Sequence, residues 1–266
     1  MLRAIGRIGW FNLVLSVALA GPAAASYKDK LLKPDTIVVG TTGSAPPATM
    51  TDAQGQLEGY DIDLAQKLGK DLGLKVELVQ LDWAGLLPGL AAGRFDVVAS
   101  GVTRTAQRLA SKDLILLSPD LINGVAITKR RGDDAIKGWA DVCGKRMGAV
   151  RGAIEPKDIL ATLPKGCVTD TRDYPGWTEL ALDLKNRRID WIGMDFLGPV
   201  YAAKQDPALE VIPDVRKANT QGLAISPKEP ELAAAMDALV KKYREDGTLD
   251  VLIEKWFGTK VDWSKI

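Results

Sequence analysis

Short apolar runs alternate with amphipathic stretches over most of this chain. Residues 36–40 (Thr-Ile-Val-Val-Gly) read as a first strand, and residues 61–72 read as a helix with Ile62, Ala65, Leu68 and Leu72 on one stripe. Residues 76–81 predict a second strand, Leu86, Leu87, Leu90 and Ala91 a short helix closed by Gly93, and residues 95–100 a third strand with a helix starting near Thr105. A second series follows: strand 146–150, helix 155–163, strand 168–171, helix 177–186 and strand 189–194. This β/α alternation predicts an α/β protein of two lobes, each a mostly parallel sheet flanked by helices.

Two extended segments with a glycine, residues 123–128 and 219–225, lie at the joins and read as chain crossings between the lobes. After the second come a helix bearing Leu232, Met236, Leu239 and Tyr243, ended by Gly247, and another bearing Leu249, Leu252, Ile253 and Trp256. Both are expected to pack on the first lobe. The expected division is a leader over 1–25, lobe 1 over 26–124 plus 223–266, and lobe 2 over 125–222, with hinges near 123–128 and 219–224.

The leader expectation rests on Arg3 and Arg7 before an apolar run over residues 8–20, then Ala23-Ala24-Ala25 as an A-x-A cleavage site. It places the mature chain, beginning near Ser26, in a Gram-negative periplasm. Lysine and arginine number 35 against 34 aspartates and glutamates, which leaves no basic excess for nucleic acid. The chain has no histidine, so histidine-based triads, dyads and zinc sites are excluded. The two cysteines, Cys143 and Cys167, favour a disulfide in an exported protein, since redox work usually uses a C-x-x-C spacing. Nothing in the sequence calls for a cofactor, a metal or an oligomer, and a monomer is expected.

Two motifs change the picture. One is Gly59-Tyr60-Asp61-Ile62-Asp63-Leu64 with Leu68-Gly69 and Leu72; the other is Ser100-Gly101-Val102-Thr103-Arg104-Thr105-Ala106-Gln107-Arg108. Asp61, at a helix start, suits free backbone N–H groups and the helix dipole. The strand ending at Ser100 delivers Gly101 and Thr103 to the sheet's carboxyl edge, where open α/β sheets bind ligands. Arg108, in the first turn after Thr105, can return its guanidinium to that edge, and such a fork binds a carboxylate bidentately. Together the motifs resemble those of bacterial extracellular solute-binding proteins, family 3, the amino-acid-binding components of ABC importers. The resemblance implies a type II periplasmic binding protein-like fold. It also implies that Thr103 and Arg108 clasp a ligand α-carboxylate, Asp195 pairs with its ammonium, Trp83 covers its apolar part and Gly152 belongs to an anion loop. A small-molecule ligand and ABC permease subunits at the inner membrane are the implied partners.

This chain departs from the family's usual pocket in several places. Ala45 and Ala48 stand where relatives commonly carry an aromatic residue, and Thr42 where some carry an acid. The anion loop reads Gly152-Ala153-Ile154, so Ala153 and Ile154 replace the usual hydroxyls and only backbone donors remain. An organic acid or an unusual amino acid therefore stays open as ligand. A second class also stays open: a lyase on the same scaffold, resembling cyclohexadienyl or arogenate dehydratase, with Glu155 or Asp173 as its acid or base.

Overall fold

The computed structural model describes residues 26–265, and the expected leader over 1–25 lies outside them. The chain enters through β1 (Thr36–Thr41), a small β2–β3 hairpin (Met50–Thr51, Leu57–Glu58) and helix α1 (Tyr60–Leu72). It continues through β4 (Lys75–Gln80), α2 (Trp83–Ala91), β5 (Val97–Val98), the single turn α3 (Ala106–Leu109) and β6 (Ile115–Leu116). Of the predicted α1 stripe, Ile62, Ala65 and Leu68 are buried and Leu72 is partly buried against the same core, with Leu64 buried as well. Removing each such side chain from water contributes about 1.5–3 kcal/mol. The third strand is shorter than expected, because only Val97 and Val98 find partners in β1. Gly59 precedes α1 with φ 135°, and a Cβ there would collide with the Ala48 carbonyl, so the motif's glycine is a steric requirement.

The long strand β7 (Leu121–Arg130) leads to a second series: β8 (Arg146–Val150), α4 (Glu155–Thr162), β9 (Asp170–Tyr174), α5 (Trp177–Lys185), β10 (Trp191–Asp195) and α6 (Leu197–Gln205). β9 starts two residues later than the apolar pattern suggests. Its pairing with β8 fixes it, with Arg146 opposite Asp170 and Val150 opposite Tyr174, while Val168 is left exposed. The 13-residue β11 (Leu209–Gln221) then returns, and β12 (Ala224–Ile225) rejoins the first sheet ahead of α7 (Pro230–Glu245) and α8 (Thr248–Phe257).

Two five-stranded sheets result, ordered β4-β1-β5-β12-β6 and β11-β7-β10-β8-β9. The β/α alternation supplies the parallel pairs, β1 with β4 and β5, and β8 with β9 and β10. The strands next to the crossings add antiparallel pairs, β12 with β5 and β6, and β7 with β10 and β11. Residues 123–128 lie within β7, and residues 219–221 within β11, where Leu121 pairs with Gln221 and Asn123 with Asn219. Helices α7 and α8 pack on the first sheet through Leu232, Met236, Val240, Tyr243, Leu249 and Ile253. Val240, rather than the expected Leu239, completes the buried stripe. The second sheet has its own core, where Trp139 meets Trp191 edge-on at 6.4 Å.

Cys143 and Cys167 are joined, with their Cα atoms 5.1 Å apart. The bond ties the approach to β8 to the approach to β9, next to the hydrogen bond from Gly144 N–H to Val168 O. Closing 24 residues of chain contributes about 3 kcal/mol through the unfolded state. Replacing both cysteines by serine is expected to lower the melting temperature by roughly 6–12 °C in a calorimetric scan. Unchanged melting would show that the second lobe does not depend on this staple.

Candidate functional site

The carboxyl ends of the central parallel strands of both sheets face one another, and the space between them is a cavity. β1 runs out into Thr42 and Ser44, β5 into Ser100 and Gly101, β8 into Ala153 and Glu155, and β10 ends on Asp195; all of these line the cavity. Trp83, at the start of α2, forms a wall. The two halves touch around it. Trp177 N–H donates to Ser44 O at 3.1 Å, and a Cβ on Gly176 would meet Ser44 Oγ at 2.6 Å. Glycine at 176 is thus needed for close approach of the lobes.

Thr103 and Arg108 sit together as the motif implies. Thr105 Oγ1 accepts the Arg108 N–H at 3.2 Å and so starts α3. The Arg108 guanidinium donates to Thr103 O at 2.9 Å and lies 5.6 Å from the centre of the Trp83 ring. The carboxylate that meets this pair comes from the opposite lobe. The Thr103 hydroxyl donates to Glu155 Oε1 at 3.2 Å, and the Arg108 charge stabilises the ionised form of Glu155. Burial nevertheless pushes the Glu155 carboxyl above its ordinary range, and burial also lowers the Arg108 guanidinium. Arg108, Gly152 and Ile154 line an outer pocket beside the inner cavity, and Ala153 lines both. Thr103 is buried behind them at 2% exposure.

Asp195 points into the inner cavity. Its Oδ1 is buried without a hydrogen-bond partner. Burial, and secondarily the charge of Glu155, raise its carboxyl to about 7, although the Gly198 amide and the Gln221 side chain favour the charged form. It shares the start of α6 with Asn123: Asp195 takes the Gly198 amide, while Asn123 Oδ1 accepts the Phe196 and Leu197 N–H groups at 3.1 and 3.2 Å. Asp61, by contrast, does not cap its own helix. The residue before α1 is Gly59, and the buried Asp61 carboxyl instead takes the Gly101 amide, holding the floor of the cavity in place. Of the lyase candidates, Asp173 is exposed on β9 and only Glu155 reaches the cavity. Sequence reasoning missed Ser44, Gly176 and Gln221, which carry no motif and gain their roles from the approach of the lobes.

Residues 37–259 match the model of the bacterial extracellular solute-binding proteins, family 3. The chain belongs to this family. It is 30% identical over 264 residues to the L-cystine-binding protein TcyJ of Escherichia coli (strain K12), covering 97% of each chain. It is 28% identical over 252 residues to ABC transporter arginine-binding protein 1 of the same strain, covering 92% of this chain and 98% of that one. Among solved structures it resembles the ancestral amino acid-binding protein AncCDT-1, a precursor of cyclohexadienyl dehydratase, with a TM-score of 0.78 and 32% identity over 87% of this chain and 100% of that one. These solute-binding relatives share the two-lobed α/β architecture.

The raised carboxyl of Asp195 has a consequence for stability. An acid whose folded value exceeds its unfolded one stabilises while protonated, and that contribution is lost as pH rises from the ordinary value of 3.8 through about 7. Asp120, fully enclosed behind the cavity and also raised to about 7 by burial, acts in the same direction. The melting temperature of the ligand-free protein is therefore expected to fall between roughly pH 5 and 8, with a shallower fall in Asp195→Asn. An identical slope in that variant would mean that Asp195 keeps its solution acidity.

Proposed function

We propose that this protein is the periplasmic binding component of an ABC importer for an amino acid, which it holds between its lobes and presents to a membrane permease as a monomer. The observation that carries the reading is the Thr103 hydroxyl bonding the Glu155 carboxyl across the cleft, with the Arg108 charge favouring its ionised form. In the loaded protein the ligand's carboxylate takes the Arg108 fork and its ammonium takes the unpartnered Asp195 oxygen. Trp83 covers the apolar stem, while Gly101, Gly152 and Ile154 border it with backbone donors. Only the closed arrangement makes both sets of contacts, so the ligand shifts the population toward closure. Its likeness to an L-cystine-binding protein and an ABC transporter arginine-binding protein supports this role, and the leader expected over 1–25 would supply the export it needs. The lyase alternative is weaker, because its one candidate in the cavity, Glu155, is engaged by Thr103 and has no second acid opposite it except Asp195.

A thermal-shift panel tests the reading, since a ligand that binds the folded state alone raises the melting temperature. Amino acids are expected to shift it, while amines lacking the carboxylate and acids lacking the amine are not. Arg108→Ala is expected to weaken binding by at least ~30-fold with the fold retained. Full affinity in that variant, a shift with simple acids alone, or turnover of prephenate or arogenate would each retire the amino-acid importer.

A further inference from the structure

We infer that the cleft selects a ligand with one net positive charge, and that Glu155 is the residue that sets this preference. The inference rests on the amino-acid reading above and deepens it. The charged side chains lining the inner cavity are Glu155 and Asp195, with Arg108 at its outer rim. The remaining walls are uncharged: Thr42, Ser44 and Ala45 after β1, Trp83 on α2, Ser100 and Gly101 after β5, and Gly176 before α5. Among the described residues the inner cavity thus carries two carboxylates and no cation, and the guanidinium at its rim is already acted on by Glu155 and Asp158.

A zwitterionic ligand balances that set only if one carboxyl keeps its proton. Its ammonium satisfies Asp195 and its carboxylate satisfies Arg108. Glu155 then loses the counter-charge it now shares and is left with a hydroxyl donor from Thr103. A buried ion without a partner is expensive. A third group on the ligand, a side-chain ammonium or guanidinium, restores neutrality by meeting Glu155. Trp83 lines the same cavity and already accepts a guanidinium beside its ring, so a cationic side chain finds a favourable wall as well. The small Ala45 and Ala153 on the same lining leave room for it.

The test is isothermal titration of the mature protein, refolded free of carried-over ligand, with L-arginine, L-lysine, their neutral counterparts L-citrulline and L-norleucine, and L-cystine. Arginine or lysine is expected to bind at least ~30-fold tighter than its neutral counterpart and tighter than cystine. Glu155→Gln should collapse that ratio to near one, chiefly by weakening the cation. Glu155→Asp, which keeps the charge, should preserve the preference, and circular dichroism checks that both variants fold. Equal affinity for arginine and citrulline, tighter binding of cystine, or an undiminished preference in Glu155→Gln would overturn the charge inference while the amino-acid reading stands. If no amino acid of any charge binds, that reading falls first and this one with it.

Discussion

Both passages of the chain between the sheets run through one antiparallel ladder, and the rest of the structure depends on it. β7 and β11 pair from Leu121–Gln221 at one end to Arg130–Leu209 at the other. The pairing is regular from Leu209 to Ile212 and from Asn219 to Gln221, and its register shifts between Ile212 and Asn219. Each sheet has its own hydrophobic core, and the ladder contributes to both, with Leu121 in the first and Val125, Ile127 and Ile212 in the second. The ladder also reaches the binding groups directly. Thr103 forms a bridge with Gln221, Arg104 N–H donates to Thr220 O at 2.8 Å, and the Gln221 side chain faces Asp195.

The cleft concentrates charge in an unusual way for a surface that must dry out on closing. Asp61 and Asp120 lie behind its floor, and Glu155 and Asp195 lie within its walls. Behind the floor, the Gly101 amide serves Asp61 and Arg104 offsets Asp120, yet Asp61 Oδ2 and Asp120 Oδ2 are buried without a hydrogen-bond partner. In the walls, Asp195 takes the Gly198 amide and the Gln221 side chain. Glu155 relies on Thr103 and Arg108 from across the gap, and Asp195 keeps one oxygen without a partner. What sets Asp195 apart from Asp61 and Asp120 is that it lines the cavity, where a partner for its bare oxygen can come from outside.

Much of this was legible from the sequence wherever the controlling interaction is local. The Thr105 cap, the glycine stop at Gly247, the α1 stripe and the cysteine pair all depend on residues close in the chain or on compartment chemistry. Features set by contacts between distant segments were misread. Asp61 reads as a helix cap, yet its partner is Gly101, forty residues on in the other motif. The start of β9 follows its register with β8, not its own apolar residues. Glu155 reads at best as a catalytic acid, because nothing in its neighbourhood announces that it will meet Thr103 on the facing lobe. The site residues carried by motif come together, while the one that distinguishes this cleft comes from outside any motif.

The bare oxygen of Asp195 bears on how a permease would tell a loaded carrier from an empty one. In an open cleft, water solvates that carboxylate at no cost. Shutting the lobes over it with nothing inside strips the water away and supplies no substitute, so the ion must either resist closure or take up a proton. The same oxygen that attracts a ligand thus acts as a lock against idle shutting. By linkage the lock weakens as pH falls from about 7, the value in the shut cleft, toward the ordinary 3.8. Vacant carriers would then compete least for the transporter in an alkaline compartment and most in an acidic one.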